Sequence, residues 1–163
     1  MKSLLTILAL ALSLSVARAD DDEKTRIAEL DAYWAEVSRS VGEGDFAAYS
    51  ATCHPKAVLV SGGKKVSYPL SQALKRWKAE FDSTKAGDRS SAVTFRFAHR
   101  YGDATTAHES GIFLYSFQEG DAPKKDEYIH FEALLVKESG KWLILMEYQK
   151  SSATKAEWDA LAE

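Results

Sequence analysis

From Arg26 onward the apolar residues keep a helical rhythm. Ile27, Leu30, Trp34, Val37 and Val41 recur three and four apart, which places them on one face of an amphipathic helix. Gly42-Glu43-Gly44 stops that helix, and Asp45 stands where it can cap a second, short helix over 46–53, ended by Pro55. Residues 57–60 (AVLV) read as a short strand, followed by the turn signal Gly62-Gly63. After Pro69, Leu70, Leu74, Trp77 and Phe81 form a second helical stripe, closed by Gly87. The remainder of the chain changes character. Segments 91–101 and 104–117 flank Gly102-Asp103, a two-residue hairpin signal, and 127–137 and 141–150 flank Ser139-Gly140. Trp158 and Leu161 mark a terminal helix. Helices first and antiparallel strands after them predict an α+β domain, with the helices on one face of the sheet.

The last hairpin contains an anomaly. In IHFEALLVKESGKWLILMEYQK, Glu132 and Glu147 stand among apolar residues, with His130 beside the first. A two-residue loop at Ser139-Gly140 sets Glu138 opposite Lys141, Val136 opposite Leu143, and Glu132 opposite Glu147. Side chains alternate along a strand, so His130, Glu132, Leu134, Val136, Leu143, Leu145, Glu147 and Gln149 are expected on one face. Phe131, Ala133, Leu135, Trp142, Ile144, Met146 and Tyr148 then fall on the other. Both faces are largely apolar, so the helices should cover one and a second subunit the other. Directly opposed carboxylates repel. Either both are wet at the rim, or one stays protonated, or a base or a metal lies between them.

The first twenty residues follow a different pattern. A basic start at Lys2, an uncharged apolar run over 4–16 and Ala17-Arg18-Ala19 predict a secretory signal peptide at 1–19, a single domain at 20–163 and a secreted or periplasmic protein. The apolar run is 13 residues long, against the roughly 20 needed to span a membrane. Without Lys2 and Arg18 the net charge becomes −5, against −3 for the whole chain. With no basic cluster, nucleic acid and anionic membranes are not expected partners. Cys53 is the only cysteine, which excludes an internal disulfide, and it reads as a small buried residue.

The order of these features resembles the SnoaL-like branch of the nuclear transport factor 2-like superfamily. The likeness rests on Gly44-Asp45-Phe46 after the long helix, Pro55-Lys56-Ala57-Val58-Leu59-Val60, and Val136-Lys137-Glu138-Ser139-Gly140-Lys141-Trp142, within a span of about 26–150. It implies a cone: three N-terminal helices packed on a curved, mainly antiparallel sheet that encloses a cavity. It also implies that Glu132 corresponds to the cavity acid that ketosteroid isomerases keep protonated, and that Glu147 lies near the last-strand acid of polyketide cyclases. Three departures count against steroid isomerisation: Ser61 at the general-base position, Val37 near the oxyanion tyrosine, and Lys56 where an Asp is frequent.

The remaining candidates are tied to these elements. With Gly102-Asp103 as the turn, His108 shares a face with Phe95, Phe97, Ile112 and Leu114, while Arg96 opposes Glu109 as a surface ion pair worth under about 1 kcal/mol. His108, His130, Glu132 and Glu147 have the ligand types of a zinc or iron site, but no local spacing enforces one. Neither a metal nor another cofactor is therefore expected. Trp34, Trp77 and Phe81 serve as core or as cavity wall. The expected site comprises Glu132 and Glu147 as candidate acid/base residues, with His130, His108, Trp34, Trp77, Phe97 and Gln149 around a small apolar or carbonyl-containing ligand. Any chemistry there would be isomerase-, cyclase- or hydro-lyase-like. The rival reading is a non-catalytic dimerisation or interaction module. A homodimer is expected in either case.

Overall fold

The computed structural model describes the backbone of residues 2–161 and the side chains of residues 22–161. The expected signal segment, 1–19, lies outside the fully described part. Helix α1 (Lys2–Glu43) is followed by α2 (Phe46–Ala51), β1 (Cys53–Ser61), β2 (Val66–Pro69) and α3 (Leu70–Ala86). Four long strands come next, β3 (Arg89–Gly102), β4 (Thr106–Glu119), β5 (Lys125–Glu138) and β6 (Lys141–Ser152), and then the short α4 (Lys155–Ala160). The six strands form one sheet in the order β2-β1-β6-β5-β4-β3. Every neighbouring pair is antiparallel except β1 with β6, which run parallel. The fold is α+β, with α1, α2 and α3 on one face of a curved sheet, as the pattern predicts.

Local chemistry explains the junctions. Gly44 adopts φ +65°, and a Cβ there would meet Lys85 N at 2.4 Å and Phe81 O at 2.5 Å. The end of α1 can therefore lie directly on α3 only because position 44 has no side chain. Asp45 caps α2 by accepting from Ala48 N at 3.0 Å. That helix is shorter than expected. Thr52 closes it, and Cys53 begins β1.

The core lies between α1 and the sheet. Leu30, Trp34 and Val37 from α1 pack against Phe131, Ala133 and Leu135 of β5 and against Trp142 and Ile144 of β6. Trp142 Nε1 donates to Glu29 Oε2 of α1 at 3.0 Å, and Lys137 Nζ reaches the same carboxylate. Trp142 and Ile144 thus face the helices, and the face that carries Glu132, which the resemblance placed on the cavity, is the outer one. Helix α4 covers part of the opposite face. Its Trp158 is buried beneath the Arg96 guanidinium, 4.5 Å from ring centroid to Cζ, and beside Tyr128.

Two irregularities in register set which side chains meet. The β5–β6 turn is the expected two-residue Ser139-Gly140, with φ +50° and +78°, the left-handed pair that matches hairpin twist. Glu138 opposes Lys141 and Val136 opposes Leu143, also as expected, but the register then shifts. Leu135 pairs with Ile144 and Leu134 with Met146, so Leu145 is an extra residue, a β-bulge. On β3 a similar shift lies between Phe97 and His99.

Candidate functional site

The bulge at Leu145 separates the two glutamates. Beyond it Ala133 pairs with Glu147, and Glu132 pairs with Tyr148. One inserted residue reverses the side on which each later side chain of β6 projects. Glu147 and Gln149 therefore join Phe131 and Ala133 on the helix-covered face, and Glu132 is left on the outer face. The expected Glu132–Glu147 pair does not form.

A cavity of about 310 Å³ lies between the helices and the sheet. Tyr33, Trp34, Val37 and Val41 of α1, Tyr49 of α2, and Trp77 and Phe81 of α3 form one wall. Val93, Phe95, Phe113, Ile129, Phe131 and Ile144 of the sheet form the other. The rings interlock: Tyr33 and Trp34 meet edge-on at 5.0 Å, Tyr49 and Trp77 at 6.2 Å, and Trp34 lies 4.4 Å from Phe95. Thr52, Cys53, Glu147 and Gln149 add polar atoms to this lining, and Glu80, Thr84, Ser91, Tyr115 and Glu127 add more. Glu80 and Glu127 are exposed, which places the mouth beside them. The site is thus apolar in bulk with a few fixed polar groups, the usual constitution of a small-molecule pocket.

Glu147 is its distinctive group. Gln149 Nε2 donates to its Oε1 at 2.7 Å, and among the described residues no protein group donates to Oε2. Burial pushes its carboxyl above the ordinary carboxylate range, and the Gln149 hydrogen bond offsets this only in part. Its neighbours are neutral for the same reason. Burial raises the Tyr33 and Tyr49 phenols well above their usual range and the Cys53 thiol up to about 12. Cys53 is thus a thiol, not a thiolate nucleophile.

Glu132 has the opposite character. Lys150 Nζ lies 2.6 Å from its Oε1 and His108 Nε2 lies 3.3 Å from its Oε2. These contacts, the lysine first, hold its carboxyl below the ordinary range. His130 is also on the outer face, with Nε2 3.4 Å from Glu157 Oε1 of α4. Of the expected residues, the cavity brings together Glu147, Gln149, Trp34 and Trp77. Phe97 supports the cavity from behind, 5.7 Å from Trp34 and 6.1 Å from Phe131. Glu132, His108 and His130 are excluded from it, and the two-histidine, two-carboxylate set is split by the sheet.

The expected Arg96–Glu109 surface pair is replaced by a buried one. Asp103 Oδ1 accepts from Thr105 N and Thr106 N, both at 2.8 Å, which widens the β3–β4 turn. With the β3 bulge, this puts Arg100 opposite Glu109 and Arg96 opposite Ile112. Glu109 has no exposed surface. It accepts from Trp34 Nε1 and Arg100 Nε, each at 2.5 Å, and Arg100 Nη1 reaches Asp31 at 2.6 Å. The pair anchors the indole that forms the cavity wall. Tyr33 and Tyr49 also escaped sequence reading, because each lies off the helical stripes, and Cys53, read as a small buried residue, is half-buried at the start of β1 and lines the cavity.

The chain matches no protein-family model and no curated protein. Solved structures share its fold. A nuclear transport factor 2-like protein of unknown function from Shewanella oneidensis aligns with a TM-score of 0.58 and 13% identity, over 76% of this chain and 97% of that one. Another nuclear transport factor 2-like protein of unknown function, from Prochlorococcus marinus, gives 0.59 and 10%, over 78% and 93%. The beta subunit of benzoate 1,2-dioxygenase from Burkholderia mallei gives 0.62 and 15%, over 74% and 87%. The chain has the nuclear transport factor 2-like fold. That fold hosts many activities, so function must be argued from the cavity.

Proposed function

We propose that the protein is an exported, SnoaL-like domain that binds a small, partly apolar molecule in the cavity, with Glu147 and Gln149 at its polar end. One observation carries this reading: among the described residues, an aromatic cavity of about 310 Å³ contains a single enclosed carboxyl, and no protein group donates to one oxygen of that carboxyl. A desolvated polar group without a partner is unfavourable unless a ligand completes it. Cyclase-, isomerase- or dehydratase-like acid–base chemistry would run through Glu147 alone, since Glu132 is on the far side of the sheet. Benzylacetone, a small neutral ketone, should bind saturably by calorimetry and change the fluorescence of Trp34 and Trp77. Val93→Phe, which narrows the cavity, should weaken the binding. Binding unchanged by Val93→Phe, or no binding to the native protein, would contradict the cavity reading.

A homodimer is a second, compatible reading. Leu134, Val136, Leu143 and Met146 form a half-buried apolar strip on the outer face. Such a strip is usual at subunit contacts, and one protein of the same fold is itself an enzyme subunit. Sedimentation at micromolar concentration should give a dimer, and Met146→Asp a monomer. A native monomer would refute it.

A further inference from the structure

We infer that the molecule held in the cavity is a cation: a protonated amine on an apolar skeleton, its ammonium placed against Glu147. The inference rests on the ligand-binding reading above and concerns the charge of the ligand.

Charge in the cavity has one sign. Glu147, Glu80 and Glu127 line it, and no lysine, arginine or histidine does so among the described residues. Arg89, beside the mouth, is already engaged. Its guanidinium pairs with Glu119 and, at 3.6 Å, with Glu80, donates to Tyr115 Oη at 3.0 Å and lies 4.2 Å from the Phe117 ring centroid, which leaves Glu147 as the enclosed acid without a cationic partner among the described residues. A carboxylate ligand would therefore meet Glu147 inside and, at the mouth, only a guanidinium already paired with Glu119 and Glu80.

The walls point the same way. Tyr33, Trp34, Tyr49 and Trp77 bring ring faces and edges from three helices around the enclosed volume. Aromatic faces attract a desolvated ammonium more strongly than they attract a neutral group of the same shape. Glu147 offers the matching anion, since among the described residues no protein group donates to its Oε2 while Gln149 fixes Oε1 at 2.7 Å. Burial disfavours the ionised form of Glu147 in the empty cavity. An ammonium beside it reverses that preference, because an opposite charge within hydrogen-bond distance stabilises the carboxylate. A neutral carbonyl would use one hydrogen bond and leave both the rings and the charge unexploited.

The test compares three molecules of one skeleton on the full chain, by calorimetry: phenylpropylamine, benzylacetone and hydrocinnamate. The amine should bind about tenfold or more tighter than the ketone, and hydrocinnamate about tenfold or more weaker. Glu147→Gln, nearly isosteric, should remove the preference for the amine, the ratio of amine to ketone affinity falling to about one. A ketone equal to the amine, a carboxylate equal to the amine, or a preference that survives Glu147→Gln would overturn the assignment of charge. The comparison on the native protein decides even if the variant fails to fold. If none of the three binds, the cavity reading falls and this inference with it. If only the ketone binds, the cavity reading stands and the inference alone falls.

Discussion

The two faces of the sheet treat a carboxylate in opposite ways. On the outer face, Glu132 is half-buried and satisfied by Lys150 and His108, as surface acids commonly are. On the inner face, Glu109 and Glu147 are taken out of bulk water, and the fold handles each differently. Glu109 has both a cation and an indole N–H as partners. Glu147 has one glutamine and, among the described residues, no donor to its second oxygen. The contrast separates structural acids from a candidate functional one. A buried carboxylate with a full set of donors fixes the fold, while one left incomplete beside a cavity is available to a ligand.

The largest expected effect comes from Glu109. Glu109→Ala leaves the half-buried Arg100 with only the exposed Asp31 as a charged partner and removes the acceptor of the buried Trp34. Breaking a buried pair from one side costs about 3–5 kcal/mol, so denaturant unfolding should register a loss of that size. A loss below about 1 kcal/mol, the surface-pair scale, would mean that Glu109 is wet and the contrast between faces is false.

Glu147 should show the reverse sign. Its folded carboxyl holds a proton more tightly than the unfolded one. Its contribution is therefore intact below the unfolded value of about 4.3 and is lost as pH rises through the folded value. Glu147→Gln should match the native protein in melts at low pH and exceed it at pH well above that range, by about 1 kcal/mol. A variant less stable at neutral pH would show that the carboxylate has partners unseen here.

The smallest effect belongs to Glu132. Lys150 and His108 lower its carboxyl, so it stabilises above its unfolded value and loses that contribution as pH falls through the folded one. Glu132→Gln should cost less than about 1 kcal/mol at neutral pH, and still less in high salt. It should leave benzylacetone binding unchanged. Loss of binding would return Glu132 to the site.

Much of the fold is legible in the residues themselves. The stripes of α1 and α3, the Gly44-Asp45 junction and the Ser139-Gly140 turn each have a local cause, and the structure keeps them. The site is less legible because two bulges decide it. Around Leu145 both faces are apolar, so an extra residue changes no hydrophobic pattern and leaves no mark in the sequence. It nevertheless moves Glu147 and Gln149 into the cavity and leaves Glu132 outside. At the other hairpin, Asp103 accepts two backbone N–H groups and widens a turn that Gly102-Asp103 suggested was tight. Arg100 then displaces Arg96 as the partner of Glu109. Tyr33 gave no separate signal, because it sits beside Trp34 and takes its place at the cavity only through the helix's orientation.

The central claim is that Glu147 is the enclosed acid and Glu132 the solvated one. Side-chain carboxyl carbon NMR, followed through a pH titration of the full chain and assigned with Glu147→Gln and Glu132→Gln, tests it directly. Glu147 should titrate above the ordinary glutamate range and Glu132 below it, with Glu147 unaffected by removal of Glu132. Two ordinary titrations, the reverse order, or a shift of one acid when the other is replaced would contradict the account.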